Sequence, residues 1–116
     1  MVEVTNDVFE RLAAEALDDL PEWVLERMEN VEVVIEDEPP PDQPGLLGLY
    51  RGIPLTDRGW HYAGVLPDTI TLYRANIQRH SRDEDHLRER VRRIVAHEVA
   101  HHFGISDDRL RELDRY

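Results

Sequence analysis

The stretch HEVAHHFGISD, from His97 to Asp107, places two histidines four residues apart, with a glutamate directly after the first. A glycine and an aspartate follow the second histidine. On a helix, positions i and i+4 lie one above the other. His97 and His101 can therefore aim two imidazoles at one ion, at about 2.0–2.1 Å each. Glu98 sits about 100° further round the helix. That is too far to share the ion evenly, but near enough to take a proton from a water bound to it and return the proton to a leaving group. Gly104 ends the helix at a position where an αL residue costs glycine least. The chain can then turn back and bring Asp107 to the ion as third ligand, with Asp108 as the rival. Three protein ligands plus water is the open arrangement of a catalytic zinc site. Zinc (Zn2+) is the expected metal, although two His and a carboxylate also suit Fe(II). The competing reading is core packing, with His and Glu satisfied by hydrogen bonds. Adding Gly at the eighth position and Asp at the eleventh to HExxH cuts chance matches roughly a hundred-fold.

These residues need a helix to position them, and SRDEDHLRERVRRIVAHEVAHHFG (81–104) provides the longest one. Ser81 or Asp83 would cap its start and Gly104 its end. Up to Arg93 it is amphipathic, with Leu87, Val91, Ile94 and Val95 on one face. From Ile94 to Phe103 the only formal charge is Glu98, and a helix that is apolar all round is a buried one. A lone Glu in such a place needs a partner. Upstream, TNDVFERLAAEALDDLP reads as a first helix, with Val8, Leu12, Ala16 and Leu20 at helical spacing and Asp7 with Glu10 as a capping box. PEWVLERM continues as a short second helix with Pro in its first turn. VEVVIED (31–37) is a strand. DEPPPDQPG (37–45) is a loop, because four prolines in nine residues remove amide donors. LLGLYRGIPL (46–55) is extended with Gly breaks, and TDRGWHYAG (56–64) is turn chemistry that suits a hairpin tip. DTITLYRANI (68–77) alternates as a strand and runs into a helical turn. SDDRLRELDRY (106–116) forms a short final helix.

The chain has 116 residues, which suits one domain over residues 1–116. Its net charge of −11 disfavours nucleic acid and anionic membranes as partners. The charge is segregated. Residues 1–44 carry 14 acidic residues against Arg11 and Arg27, whereas residues 45–95 carry 9 Arg against 6 acids. Every basic residue is Arg, since no Lys occurs. With no cysteine there is no thiolate zinc site, so any metal is held by His, Asp or Glu. No apolar run is long enough to cross a membrane, and MVEVTNDVFE lacks the features of a signal peptide. A cytoplasmic protein is expected.

HEVAHHFGISD matches HExxHxxGxxH/D and so resembles the zincin metallopeptidases of the metzincin kind, in the variant with Asp as third ligand. The whole chain is similar to the very small zincin-like proteins of bacteria called minimal metallopeptidases. The resemblance implies a zincin-like α+β fold, a small twisted mixed sheet packed against N-terminal helices and a long active-site helix. It implies His97, His101 and Asp107 as metal ligands and Glu98 as general base. It also implies DTITLY (68–73) as the edge strand beside the cleft, placed to pair with an extended peptide. Metzincins carry a Met-containing turn below the metal. Here the only methionines are Met1 and Met28 and nine residues follow Asp107, so no counterpart of that turn is expected. A carboxylate third ligand would also leave a bound water less acidified than in a three-His site, where its pKa falls to about 7.

The expected function is zinc-dependent hydrolysis of peptide bonds, weak or narrowly specific, on a peptide or protein substrate. A cleft this open leaves room for a partner chain to complete it. Two alternatives stand beside it. One is a non-catalytic zinc-binding module. The other is a metal-dependent endoribonuclease, whose HxxxHxxGxxH spacing is similar but has Gly where Glu98 stands and His where Asp107 stands. Among other residues, His102 lies off the metal face and suits a core or supporting role. His61, beside Trp60 and Tyr62, suits a loop tip, and His80 and His86 suit solvent. Tyr73, Arg74 and Tyr116 are candidates to steady an oxyanion. The Arg88–Arg93 run reads as a solvated face paired in part with Glu89 and the acidic N-terminal half.

Overall fold

The computed structural model describes residues 2–59 and 66–109. Along the chain run α1 (Asn6–Asp18), α2 (Glu22–Arg27), β1 (Val31–Glu36), β2 (Gly48–Arg51), β3 (Asp68–Tyr73), α3 (Arg74–Arg79) and α4 (Glu84–His102). A 3-10 turn at Leu55–Asp57 follows β2. The fold is α+β, as expected. Trp60, His61 and Tyr62, Tyr116 and most of the anticipated final helix lie outside the described residues.

β3 is the centre of the sheet, not its edge. The strand order is β1-β3-β2, with β1 parallel to β3 and β2 antiparallel to it. Both backbone edges of DTITLY are taken, one by β1 and one by β2. Asp68, Ile70 and Leu72 share one parity and are all buried, which sets the inward face but not the neighbours. β1 and β2 are the two edges, and β2, four residues long, is the one beside the site. Tyr73 N–H donates to Leu47 O at 2.9 Å, and Leu49 faces Thr71. By antiparallel alternation the main-chain groups of Gly48 and Tyr50 then point away from β3.

α4 packs across β2 and β3, and α1 packs chiefly against α4. Phe9, Leu12, Ala13 and Ala16 of α1 meet Leu87, Val91, Val95 and Val99 of α4 in one core with Ile70, Leu72 and Ile77. Helical spacing predicts most of this face. The caps differ in one place. Thr5 caps α1, its Oγ1 accepting from Val8 N–H at 3.2 Å, so the Asp7–Glu10 capping box does not form. Asp83 caps α4 through His86 N–H at 2.8 Å, while Ser81 Oγ donates to Ile77 O.

The segregated charges meet across the fold. Arg88 pairs with Glu15, Arg92 with Asp19, Arg74 with Asp37 and Arg79 with Glu38. Most of these groups are well exposed, so each pair contributes about 0–1 kcal/mol. A buried leucine contributes several times that. Leu87→Ala is therefore expected to cost about 2–5 kcal/mol, and Arg92→Ala less than about 1 kcal/mol, in urea unfolding. Equal losses would mean that ion pairs, not packing, hold α1 to α4.

Candidate metal centre

His97 and His101 stand one turn apart on α4, their ring centroids 4.9 Å apart and their planes 84° to each other. After His102 the helix closes in a Schellman arrangement. Gly104 N–H donates to His101 O at 2.9 Å and Ile105 N–H to Ala100 O at 3.0 Å. Gly104 has φ +86°, and a Cβ there would lie 2.3 Å from Thr56 Oγ1. Both the backbone conformation and the close approach of the 54–57 segment require glycine. This turn does two things for the site. It turns Ile105 O toward His101 Nδ1, at 2.9 Å, and it brings Asp107 back over α4.

Asp107 Oδ1 lies 3.0 Å from His97 Nε2 and 3.1 Å from His101 Nε2. Donors on a tetrahedral ion with bonds of about 2.0–2.1 Å are about 3.3 Å apart, so the spacing fits. The chemistry of the donors fits too. His101 Nδ1 faces a carbonyl, which can only accept, so Nδ1 carries a proton and Nε2 is the nitrogen left to serve as a ligand. Two imidazole nitrogens and a carboxylate oxygen are a donor set that suits Zn2+. Partial burial works to raise the Asp107 carboxyl, but hydrogen bonds and charge from His97 and His101 outweigh it and hold it below its ordinary value.

Glu98 is 8% exposed. Burial pushes its carboxyl above the ordinary value, against the pull of His97 and His101, and Asp107 adds to the rise. The amide of Tyr50, on the outward side of β2, hydrogen-bonds the Glu98 carboxylate. Close packing of β2 on α4 at this point depends on Gly48, where a Cβ would lie 2.7 Å from Ile94 Cγ2 and 3.5 Å from Glu98 Cγ. His97, Glu98 and His101 each offer a ligand atom within 4.8 Å of the others, so two carboxylates adjoin the histidine pair. A cavity of about 580 Å³ opens over these groups, walled by Tyr50, Pro54, Thr56 and Asp57 on the far side.

Beneath the site is a buried network that sequence reasoning missed. Asp68, 2% exposed, accepts from Tyr50 Oη at 2.5 Å, Arg58 Nη2 at 2.8 Å and His102 Nδ1 at 2.9 Å on Oδ2, and from Ile53 N–H at 3.1 Å on Oδ1. His102, fully buried, accepts Glu29 N–H on Nε2, which fixes the Nδ1–H tautomer. Its supporting role was anticipated, but its partner was not. Gly52 (φ +151°) lets the chain cross the Asp68 carboxylate where any Cβ would collide with it. The sequence did carry a signal: Asp68 shares the parity of Ile70 and Leu72, so it had to be a buried charge in need of partners.

Other expectations divide. His97 and His101 are half-exposed and Ala96 exposed, so the Ile94–Phe103 stretch is buried on one side only; its other side is the wall of the cleft. Tyr73 is buried and Arg74 is paired with Asp37, and neither lines the cavity. His80 is exposed, with Nδ1 against Asn76 O, and His86 Nδ1 accepts Arg82 N–H.

A family model described as zincin-like metallopeptidase matches residues 28–116, which span the whole sheet and α4. No curated protein matches the chain.

The network makes stability depend on acid. Burial works to raise the Asp68 carboxyl, but the hydrogen bonds from Tyr50, Ile53, His102 and Arg58 together hold it below its ordinary value of 3.8. A carboxyl with a depressed folded pKa stabilises the fold above the unfolded pKa, and that contribution is lost as pH falls through the folded one. Asp68→Asn should cost about 3 kcal/mol at neutral pH and flatten the loss of stability between about pH 5 and 2. Urea unfolding of both proteins at stepped pH reads this; parallel curves would remove Asp68 as the cause.

Proposed function

Because the chain belongs to the zincin-like metallopeptidase family, we propose that it is a zinc-dependent peptidase. In this reading His97, His101 and Asp107 hold the ion and Glu98 is the general base. The observation that carries it is the convergence of two imidazole Nε2 atoms on one oxygen of Asp107, beside the buried Glu98 carboxylate. Zinc bound there would supply Lewis-acid polarisation of the scissile carbonyl and acidify a water. The chain's residues do the rest. A Glu98 oxygen accepts the proton of the attacking water as the water oxygen bonds to the carbonyl carbon. Glu98 then delivers that proton to the amide nitrogen as the C–N bond breaks. Glu98 rather than Asp107 takes this role because burial raises its carboxyl toward working pH, while the histidines hold Asp107 as an anion suited to a ligand. His101 keeps its ring orientation through Ile105 O. Gly48, facing outward on the edge strand next to the Tyr50 amide that Glu98 holds, offers main-chain groups along which an extended peptide can lie.

Two measurements test the reading. Elemental analysis of protein exposed to zinc should give one zinc per chain in the wild type and in Asp108→Ala, and none in the Ala variants of His97, His101 and Asp107. Retention of metal in Asp107→Ala with loss in Asp108→Ala would reassign the third ligand. Glu98→Gln should keep its zinc and its melting temperature while peptide cleavage, followed by mass spectrometry, falls by about 10²–10⁴-fold. Cleavage at the wild-type rate would remove Glu98 as the base.

A further inference from the structure

Beyond His97 and Glu98 the cleft continues along α4 toward its N-terminal half. There a second cavity, of about 860 Å³, lies between Gly45–Gly48 and the α4 residues Arg90, Arg93, Ile94 and Ala96. The two cavities share Leu46, Gly48, His97 and Glu98. They form one groove with the reacting groups in its middle. Its ends differ in charge, with Asp57 and Asp107 at one and Arg90 and Arg93 at the other.

The four arginines of α4 divide in the same way. Arg88 and Arg92 pair with Glu15 and Asp19 of the α1 segment. Among the described residues no carboxylate pairs with Arg90 or Arg93, and both line the second cavity, beside His97 and Glu98. A guanidinium facing a groove is matched most strongly by a carboxylate, whose two oxygens fit the guanidinium fork.

We propose that Arg90 and Arg93 bind a carboxylate of the peptide substrate, so that the groove selects acidic peptides. This rests on the peptidase reading and deepens it. Arg93 and Arg90 lie about 6 and 10 Å along the helix from His97. An extended peptide advances about 3.3 Å per residue. The carboxylate therefore belongs two or three residues from the bond that is cut, on the side of the peptide that lies over Gly45–Leu47. It is either an acidic side chain or the free C-terminus. The net charge of −11 repels such a peptide at long range, but screening confines that repulsion to about 8 Å at physiological ionic strength. The two arginines act within that distance, so they set selectivity rather than the rate of encounter.

The test uses zinc-loaded Glu98→Gln protein and short dye-labelled peptides of Ala, Leu and Ser. One Glu, or Gln in its place, is moved along the sequence, and each peptide has a free or amidated C-terminus. Fluorescence anisotropy should show Glu peptides binding about ten-fold tighter than their Gln partners at one or two positions. That gain should disappear in Arg93→Gln and in Arg90→Gln, each checked for an unchanged melting temperature and zinc content. If amidation weakens binding where Glu→Gln does not, and that loss depends on the arginines, the bound group is the C-terminal carboxylate. Equal binding of Glu and Gln peptides with no effect of amidation, a preference that survives both substitutions, or no peptide binding at all would overturn the proposal. Incubating the same peptides with wild-type protein separates it from the wider reading. Arginine-dependent binding without cleavage would uphold the groove and count against a peptidase, and cleavage without charge preference would do the reverse.

Discussion

A single buried carboxylate, Asp68, sets the positions on which the site depends. One of its oxygens accepts from Tyr50, Arg58 and His102, and the other from Ile53 N–H. Those donors come from β2, the segment after it, and α4, and Arg58 also reaches Glu29 O beyond α2. Each connection leads to the metal centre by a short path. Tyr50 carries the amide that meets Glu98, His102 adjoins His101, and Ile53 leads into the turn whose Thr56 sits against Gly104. An apolar cluster of the same volume could be as stable, since desolvating an ion pair offsets much of its attraction. It would not fix directions. Hydrogen bonds to a carboxylate oxygen do, and a site that needs its groups held within a fraction of an ångström benefits from that.

Stability and placement are thus handled by different parts of the molecule. The α1–α4 contact is apolar and accounts for most of the burial outside the sheet. The arginine–carboxylate pairs around it lie largely in solvent and contribute little energy. They do, however, join the acidic N-terminal half to the basic middle of the chain. Asn76 acts similarly on the proline loop, donating to Pro44 O and Leu46 O and so fixing where β2 begins.

The local parts of the site were legible in the sequence because they are close together in it. From His97 to Asp107 every relation is set by helical geometry or by one glycine turn, and the structure places His97, His101, Glu98 and Asp107 together as that geometry predicts. The long helices and β1 were legible for the same reason, to within a cap residue such as Thr5, whereas the strand expected over 68–77 stops at Tyr73 and gives way to α3, and the extended 46–55 segment is strand only at Gly48–Arg51. What depended on distant contacts was not. The edge strand was misassigned because periodicity says which residues turn inward, not which neighbours a strand acquires. Tyr50 and Gly48 looked like ordinary strand and break residues. Their importance arises only when β2 is laid beside α4, 50 residues on from Gly48 at Glu98.

The shortness of β2 has a consequence for the protein among its own copies. An open strand edge is a template for any extended chain, including a second molecule of the same kind. Here that edge spans only Gly48–Arg51, with Pro44 upstream, Pro54 downstream and a glycine at its first position. Prolines cannot extend the ladder, and glycine weakens it. A long β-rich partner finds too few rungs to build a fibril on, whereas a peptide a few residues long finds as many as it needs. The same dimensions that expose the cleft to substrate keep this edge, one of the sheet's two, from becoming a seed for aggregation.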